Sequence, residues 1–162
     1  LNEYLNNYQK SIPDEHIFFC ENSAVNAILS YFSGQARTFG ITYTVSASIP
    51  KHISISETDL SILFGNLLEN AIDACNAQSG EDKKIIVRAK TDDHSLCVTI
   101  DNTFSGSLDI DQEGHFVSSK HEGLGLGTES IKSIAERYGG VCQFEANNGM
   151  FYASVMCFKD HA

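Results

Sequence analysis

Gly65-Asn66-Leu67-Leu68-Glu69-Asn70-Ala71-Ile72-Asp73-Ala74 decides what kind of domain this chain forms. It lies in the longest helical pattern of the sequence, from about Ser56 to Gln78. There Leu60, Leu63, Leu67, Ala71 and Ala74 recur on one face. Ser56 and Asp59 stand at capping distance, although Asp is not the preferred partner of such a serine. Asn66, Asn70 and Asp73 fall at i, i+4 and i+7 and share a face. Because the helix is apolar nearly all round, its carboxamides need partners: an unpaired buried amide costs about 1–3 kcal/mol. A carboxamide carbonyl is a neutral, hard oxygen ligand that suits Mg²⁺, an ion that keeps several waters and shares phosphate oxygens. Using amides rather than carboxylates avoids repelling a triphosphate. Asparagines that cap or cross-link neighbouring elements are the commoner use, and on this helix alone that reading stays open.

A second signature follows about sixty residues later. Gly123-Leu124-Gly125-Leu126-Gly127 precedes a helix expected from about Thr128. Glycines let backbone approach a ligand closely, and the first free N–H groups of a helix favour an anion. Lys120 and His121, just ahead, can supply positive charge. A flexible turn explains the glycines about as well, and no strand–GxGxxG–helix unit or GxxxxGK[ST] loop is present. Between the two signatures, Asp101 ends an alternating strand, where a carboxylate can accept from an exocyclic amine or simply terminate the strand.

The remaining periodicities frame these features. Asn22 or Ser23 caps a helix carrying Val25, Ile28, Leu29, Phe32, Ala36 and Phe39, stopped by Gly40. Ile41, Tyr43, Val45 and Ala47 alternate as a strand, and Ile53-Ser54-Ile55 is a further short strand candidate. Ile85, Val87, Ala89 and Leu96, Val98, Ile100 make two strands joined at Asp92-Asp93-His94. Periodicity disappears from Asn102 to Glu122, too long a stretch for an ordinary connection. Ile131, Ile134, Ala135 and Tyr138 mark a helix ended by Gly139-Gly140. A final hairpin turns at Asn148-Gly149. The order predicts an α+β fold, a mixed sheet of about five strands covered on one face by about three helices.

Bulk properties narrow the function. A chain of 162 residues with 42% hydrophobic content can bury one core without staples. A net charge of −10 argues against nucleic acid or direct membrane contact as partners. Five scattered cysteines without a CxxC pair are expected to be reduced thiols in a cytoplasmic setting. No apolar run is long enough for a transmembrane helix. Leu1, Leu5 and Tyr8 share a helical face before the break at Pro13. Residues 1–12 are therefore expected to be the stub of an upstream helix or linker, and residues 13–162 the domain itself.

In this order the motifs resemble the GHKL superfamily of ATP-binding domains, and within it the catalytic domain of bacterial sensor histidine kinases. Asn66-Leu67-Leu68-Glu69-Asn70-Ala71 resembles the N box, Asp101-Asn102 the first glycine box, and Gly123-Leu124-Gly125-Leu126-Gly127 the second. The stretch from Ser118 through Ser130-Ile131-Lys132 to Tyr138-Gly139-Gly140 is similar to the quorum-sensing peptide sensor kinases. The resemblance runs from about Asn22 to Phe158 and implies a two-layer α/β sandwich holding ATP beneath a mobile lid. It implies that Asn70 holds Mg²⁺, Asn66 lies by the phosphates and Asp101 reads the adenine amine. Residues 103–122 would be the lid and Gly123, Leu124, Gly125, Leu126 and Gly127 its hinge. The implied partners are a phosphoacceptor histidine domain of the same kinase and, indirectly, a response regulator.

Two departures stand out. The first glycine box usually continues Asp-Asn-Gly-x-Gly, whereas here Thr103-Phe104-Ser105-Gly106 follows. Where many histidine kinases carry Lys there is Asp73, so Lys120 is the candidate phosphate-facing cation. The hydrolytic relatives place a Glu where this chain has Asn66, which cannot act as a general base near neutral pH. Transfer to a protein histidine is therefore expected, by a catalytic domain whose acceptor helix lies outside this chain. A serine kinase or anti-sigma switch of the same superfamily, and an interaction domain without catalysis, are the competing readings.

Overall fold

A computed structural model describes residues 17–105, 109–110, 116–117 and 126–160. The expected stub at 1–12 and most of the expected lid lie outside the described residues.

Helix α1 (Ser23–Thr38) is capped by Asn22, whose Oδ1 accepts from the Val25 N–H at 3.1 Å. Strand β1 (Thr42–Ser48) follows, then α2 (Glu57–Ala77), which carries the decisive stretch. Strands β2 (Lys84–Thr91) and β3 (Ser95–Thr103) form a hairpin. Asp92 holds its turn by accepting from the N–H groups of His94 and Ser95. Two short strands, β4 (Asp109–Ile110) and β5 (Phe116–Val117), pair with each other. Helix α3 (Leu126–Arg137) and the hairpin of β6 (Val141–Asn147) and β7 (Met150–Phe158) complete the fold.

The main sheet has the order β1-β2-β3-β7-β6, with β1 parallel to β2 and every other pair antiparallel. Among the described residues, a five-stranded sheet and three helices in an α+β arrangement match the expectation. Ile53-Ser54-Ile55 is not a strand; Ile55 is instead buried as a core residue ahead of α2. Helix α3 begins two residues before Thr128, so Gly127 lies within its first turn rather than ahead of it.

All three helices lie on one face of the sheet. Alternate residues of the central strands point into that layer: Ile85, Val87, Ala89, Leu96, Val98, Ile100, Ala153 and Val155 are all at most 5% exposed. From the helices, Leu60, Leu63, Phe64, Leu67, Leu68, Leu29, Ile131 and Ile134 meet them. Phe64 has no exposed surface, and burying such a side chain contributes roughly 1.5–3 kcal/mol. The turn after α3 passes so close to β7 that a Cβ on Gly140 would lie 1.8 Å from the Met156 carbonyl oxygen. Only glycine fits there.

Candidate functional site

The site is built on α2. Its buried side carries Leu60, Leu63, Leu67, Ala71 and Cys75 into the core, which fixes the rotation of the helix. That rotation brings Asn66 half out of the core and leaves Asn70 exposed. The first turn of α3 lies against the same two residues. A Cβ on Gly127 would stand 3.4 Å from Asn70 Oδ1, 3.5 Å from Asn70 Nδ2 and 3.7 Å from Asn66 Oδ1. The two signatures, sixty residues apart in sequence, thus meet at one point. Among the described residues neither carboxamide has a hydrogen-bond partner, so their oxygens are not committed to capping or cross-linking there.

The chemistry available at this point is specific. Neutral carboxamide oxygens face the N-terminus of a helix, whose dipole favours negative charge. Among the described residues no cluster of three His, Cys, Asp or Glu exists that could hold a metal alone. The donor set suits a hard divalent ion completed by phosphate oxygens and water, the mode by which Mg²⁺ is usually held.

Asp73 does not join this point. It lines a groove of about 350 Å³ between α1 and α2 with Tyr31, Phe32, Phe39, Glu69, Ile72 and Asn76. Glu69 is therefore directed to the α1 side of the helix. Helical geometry accounts for this: at about 100° per residue Asn70 lies roughly 40° to one side of Asn66 and Asp73 roughly 20° to the other, the side that carries Glu69 and Asn76 toward α1.

Asp101 requires a correction of place. On β3 the core-facing residues are Leu96, Val98, Ile100 and Asn102; Asp101 belongs to the opposite set. Its Oδ2 accepts from Arg88 Nη1 at 3.0 Å, and the Arg88 side chain is 58% exposed. The sheet thus separates Asp101 from Asn66 and Asn70. The residue turned toward the helices is Asn102, only 2% exposed, in register with Ile85 on β2 and Phe151 on β7. Its Nδ2 donates to the Thr103 carbonyl at 3.1 Å. The α2 residue above this strand end is Cys75, whose Sγ approaches the carbonyl oxygens of Thr103 and Lys84 at 3.6 Å, and whose thiol burial pushes up in pKa. The period-two pattern of Leu96, Val98 and Ile100, continued one step, points to Asn102.

Lys120, Gly123, Leu124 and Gly125 lie outside the described residues, and of Leu126 only the backbone is described, as the start of α3.

A feature not foreseen ties the far ends of the two site helices. Asp59 near the start of α2 is 6% exposed and accepts from Tyr138 Oη at 2.6 Å and from Arg137 Nη1 at 2.6 Å. The Tyr138 hydroxyl, followed by the Arg137 guanidinium, holds the Asp59 carboxyl below its usual range against the opposing effect of burial.

Residues 55–157, more than half of the chain, match the GHKL domain family. A probable C4-dicarboxylate sensor kinase of Bacillus subtilis (strain 168) is 24% identical over 138 residues. The match covers 80% of this chain but only 25% of that kinase, so this chain spans about a quarter of its relative's length. Among solved structures, the nucleotide-free catalytic domain of histidine kinase ThkA superposes with a TM-score of 0.65 at 20% identity, covering 85% of this chain and 92% of that one. The mycobacterial sensor histidine kinase MprB gives a TM-score of 0.63 at 17% identity, covering 86% and 95%. ThkA in complex with the response regulator TrrA gives 0.61 at 19% identity, covering 85% and 40%. The fold is thus that of histidine kinase catalytic domains, and the chain belongs to the GHKL domain family.

Proposed function

We propose that this chain is the catalytic domain of a bacterial sensor histidine kinase, binding Mg²⁺-ATP and passing its γ-phosphoryl group to a histidine on a dimerisation domain outside the chain. The observation that carries this is the convergence of Asn66, Asn70 and the Gly127 turn of α3. The described side-chain atoms nearest Gly127 are the neutral carboxamides of Asn66 and Asn70, a donor set that suits phosphate with a divalent ion.

Each residue then has a task. The Asn70 carboxamide oxygen holds the metal and Asn66 orients the phosphates. The positive end of the α3 dipole favours the terminal phosphate there. Mg²⁺, when bound, neutralises charge on the β- and γ-phosphates. Leu126 and Gly127, in the first turn of α3, back the phosphates, and Gly123, Leu124, Gly125 and Lys120 of the second glycine box and its approach are the remaining proposed nucleotide contacts. The purine end falls to Asn102 rather than Asp101, because Asn102 is the strand-end side chain on the helix layer. Asp73 has no assigned contact with the nucleotide in this scheme.

Phosphoryl transfer is favoured over hydrolysis by what stands near the phosphates. Asn66 cannot take a proton from water, and Glu69 lines the groove on the α1 side. Positioning and charge neutralisation suffice for transfer to a nucleophile brought in from another domain. The chain is read as the cytoplasmic portion of a sensor, with residues 1–12 leading from the acceptor helix and a response regulator downstream. Among the described residues no helix is long and apolar enough to cross a membrane.

Calorimetric titration of the chain with Mg²⁺-ATP, beside Asn70→Ala, tests the site. Binding that weakens at least about tenfold in the variant, a loss of ~1.4 kcal/mol, is expected. An unmodified chain that ignores millimolar nucleotide leaves an interaction domain only. Acid-labile phosphate on an added acceptor domain marks transfer to histidine; acid-stable phosphate would point to serine instead.

A further inference from the structure

The link between the far ends of α2 and α3 bears on how the phosphate end is placed. Ser56 caps α2 by accepting from the Asp59 N–H at 3.1 Å. In a complete capping box the residue at Asp59 would be Glu, reaching back to the Ser56 N–H. Asp is one methylene shorter. In this chain the Ser56 N–H donates instead to Tyr138 Oη at 3.2 Å, and that hydroxyl donates onward to Asp59 Oδ2 at 2.6 Å. A phenol from the end of α3 thus completes the cap of α2. Tyr138 is 7% exposed and Asp59 6%, so water does not compete for these bonds.

The two helices run antiparallel, and the spans between their two meeting points match. Asp59 and Asn70 are eleven residues apart on α2; Gly127 and Tyr138 are eleven apart on α3 and its last turn. At 1.5 Å per residue each span is about 16 Å. Between these two meeting points Leu63, Leu67, Ile131 and Ile134 are at most 3% exposed. Helix α3 is therefore a strut, fastened at Tyr138 and presenting its N-terminus to Asn66 and Asn70. A longitudinal slip at the fastened end passes undiminished to the other, and a displacement near 1 Å at a phosphate site is enough to weaken it severely.

We infer that Asp59 and Tyr138, assisted by Arg137, are positioning residues that set where the α3 N-terminus meets the terminal phosphates of the nucleotide. This rests on the nucleotide site proposed above. Asp59 and Tyr138 act about 16 Å from the phosphates and touch no ligand. Arg137, whose side chain is 58% exposed, contributes the smaller part.

The test compares Mg²⁺-ATP with adenosine, which lacks the phosphates that α3 holds. Tyr138→Phe removes one hydroxyl, and Asp59→Asn removes the charge at nearly constant shape. Thermal melts first fix a temperature at which each variant is folded. Each is then expected to bind Mg²⁺-ATP roughly five- to tenfold more weakly, with adenosine binding, followed by NMR, changed by less than about twofold. The double variant should be little weaker than either single one, since both break the same relay. A role confined to stability would change both ligands alike or neither, and that result in the folded variants overturns the inference. Should both variants fail to fold, Arg137→Met serves the same comparison from the exposed side of the cluster. It is expected to lower the ATP-to-adenosine preference about twofold to threefold; an unchanged preference there also counts against the inference. Absence of Mg²⁺-ATP binding by the unmodified chain removes the nucleotide reading itself and is distinguishable from both.

Discussion

Gly127→Ala separates stability from ligand binding more cleanly than any other single change. The added methyl would lie 3.4–3.7 Å from the nearest atoms, all belonging to the Asn66 and Asn70 carboxamides. That is ordinary van der Waals contact, so the methyl clashes with none of the described residues. The backbone there is not left-handed, so alanine is not strained. Alanine is preferred to glycine within a helix by about 1 kcal/mol, and by less in the first turn, where roughly half a kcal/mol is reasonable. For a domain of this size 1 kcal/mol moves the melting temperature by about 2–4 °C, so a rise of about 1–2 °C is expected. The methyl occupies the point where both carboxamides converge, space that phosphate and metal would need. Mg²⁺-ATP affinity should fall at least about tenfold, or ~1.4 kcal/mol. Calorimetric melting and titration on one preparation measure both quantities. Unchanged affinity in the more stable variant would refute the placement of the phosphates between α2 and α3. A melting temperature lowered by several degrees would refute the contact analysis at Gly127.

The two strand-end candidates can be told apart directly: Asp101→Ala should change nucleotide affinity by less than about twofold, whereas Asn102→Ala should lower it about tenfold, both by titration. Gly140→Ala forces a Cβ to 1.8 Å from a backbone oxygen; it should cost more than about 3 kcal/mol in urea unfolding, and a loss below 1 kcal/mol would show that the turn relaxes easily. Phe64→Ala, at a fully buried position, should cost about 3–5 kcal/mol by the same measurement. Asp59 is more acidic folded than unfolded, so its contribution to stability is complete above the ordinary value of 3.8 and is lost as pH falls through the lower folded value. Asp59→Asn should remove that part of the acid dependence in melts below pH 4, and an unchanged profile would show that the carboxylate is not ionised in the fold.

Most of the fold was legible because its signals are local. The alternation of Leu96, Val98 and Ile100, the Asn148-Gly149 turn and the helical run around Leu63 each depend on neighbours within a few residues. The meeting of Asn66 and Asn70 with Gly127 was legible only through the resemblance, since nothing local joins positions sixty residues apart. Asp101 was misplaced for a simple reason: a carboxylate attracts attention by its charge, whereas the side it faces depends on parity, and parity favours Asn102. Ser56 and Asp59 were visible as an imperfect cap, but what completes it comes from Tyr138, a contact of 82 residues' separation from Ser56 that no periodicity encodes. The α1–α2 groove at Tyr31 and Asp73 was likewise invisible, because it arises from how two helices lean together.

Strand β3 sits in the middle of the sheet, paired along its length to β2 on one side and β7 on the other. Helix α3 is pinned at its far end by Asp59. The connection from residue 104 to residue 125 therefore joins two ends whose positions are set without it. Closing a longer loop is entropically inexpensive, about 0.6 kcal/mol for each doubling of length. Insertions and deletions between these anchors should thus leave the melting behaviour nearly constant, which makes this connection open to change in engineering.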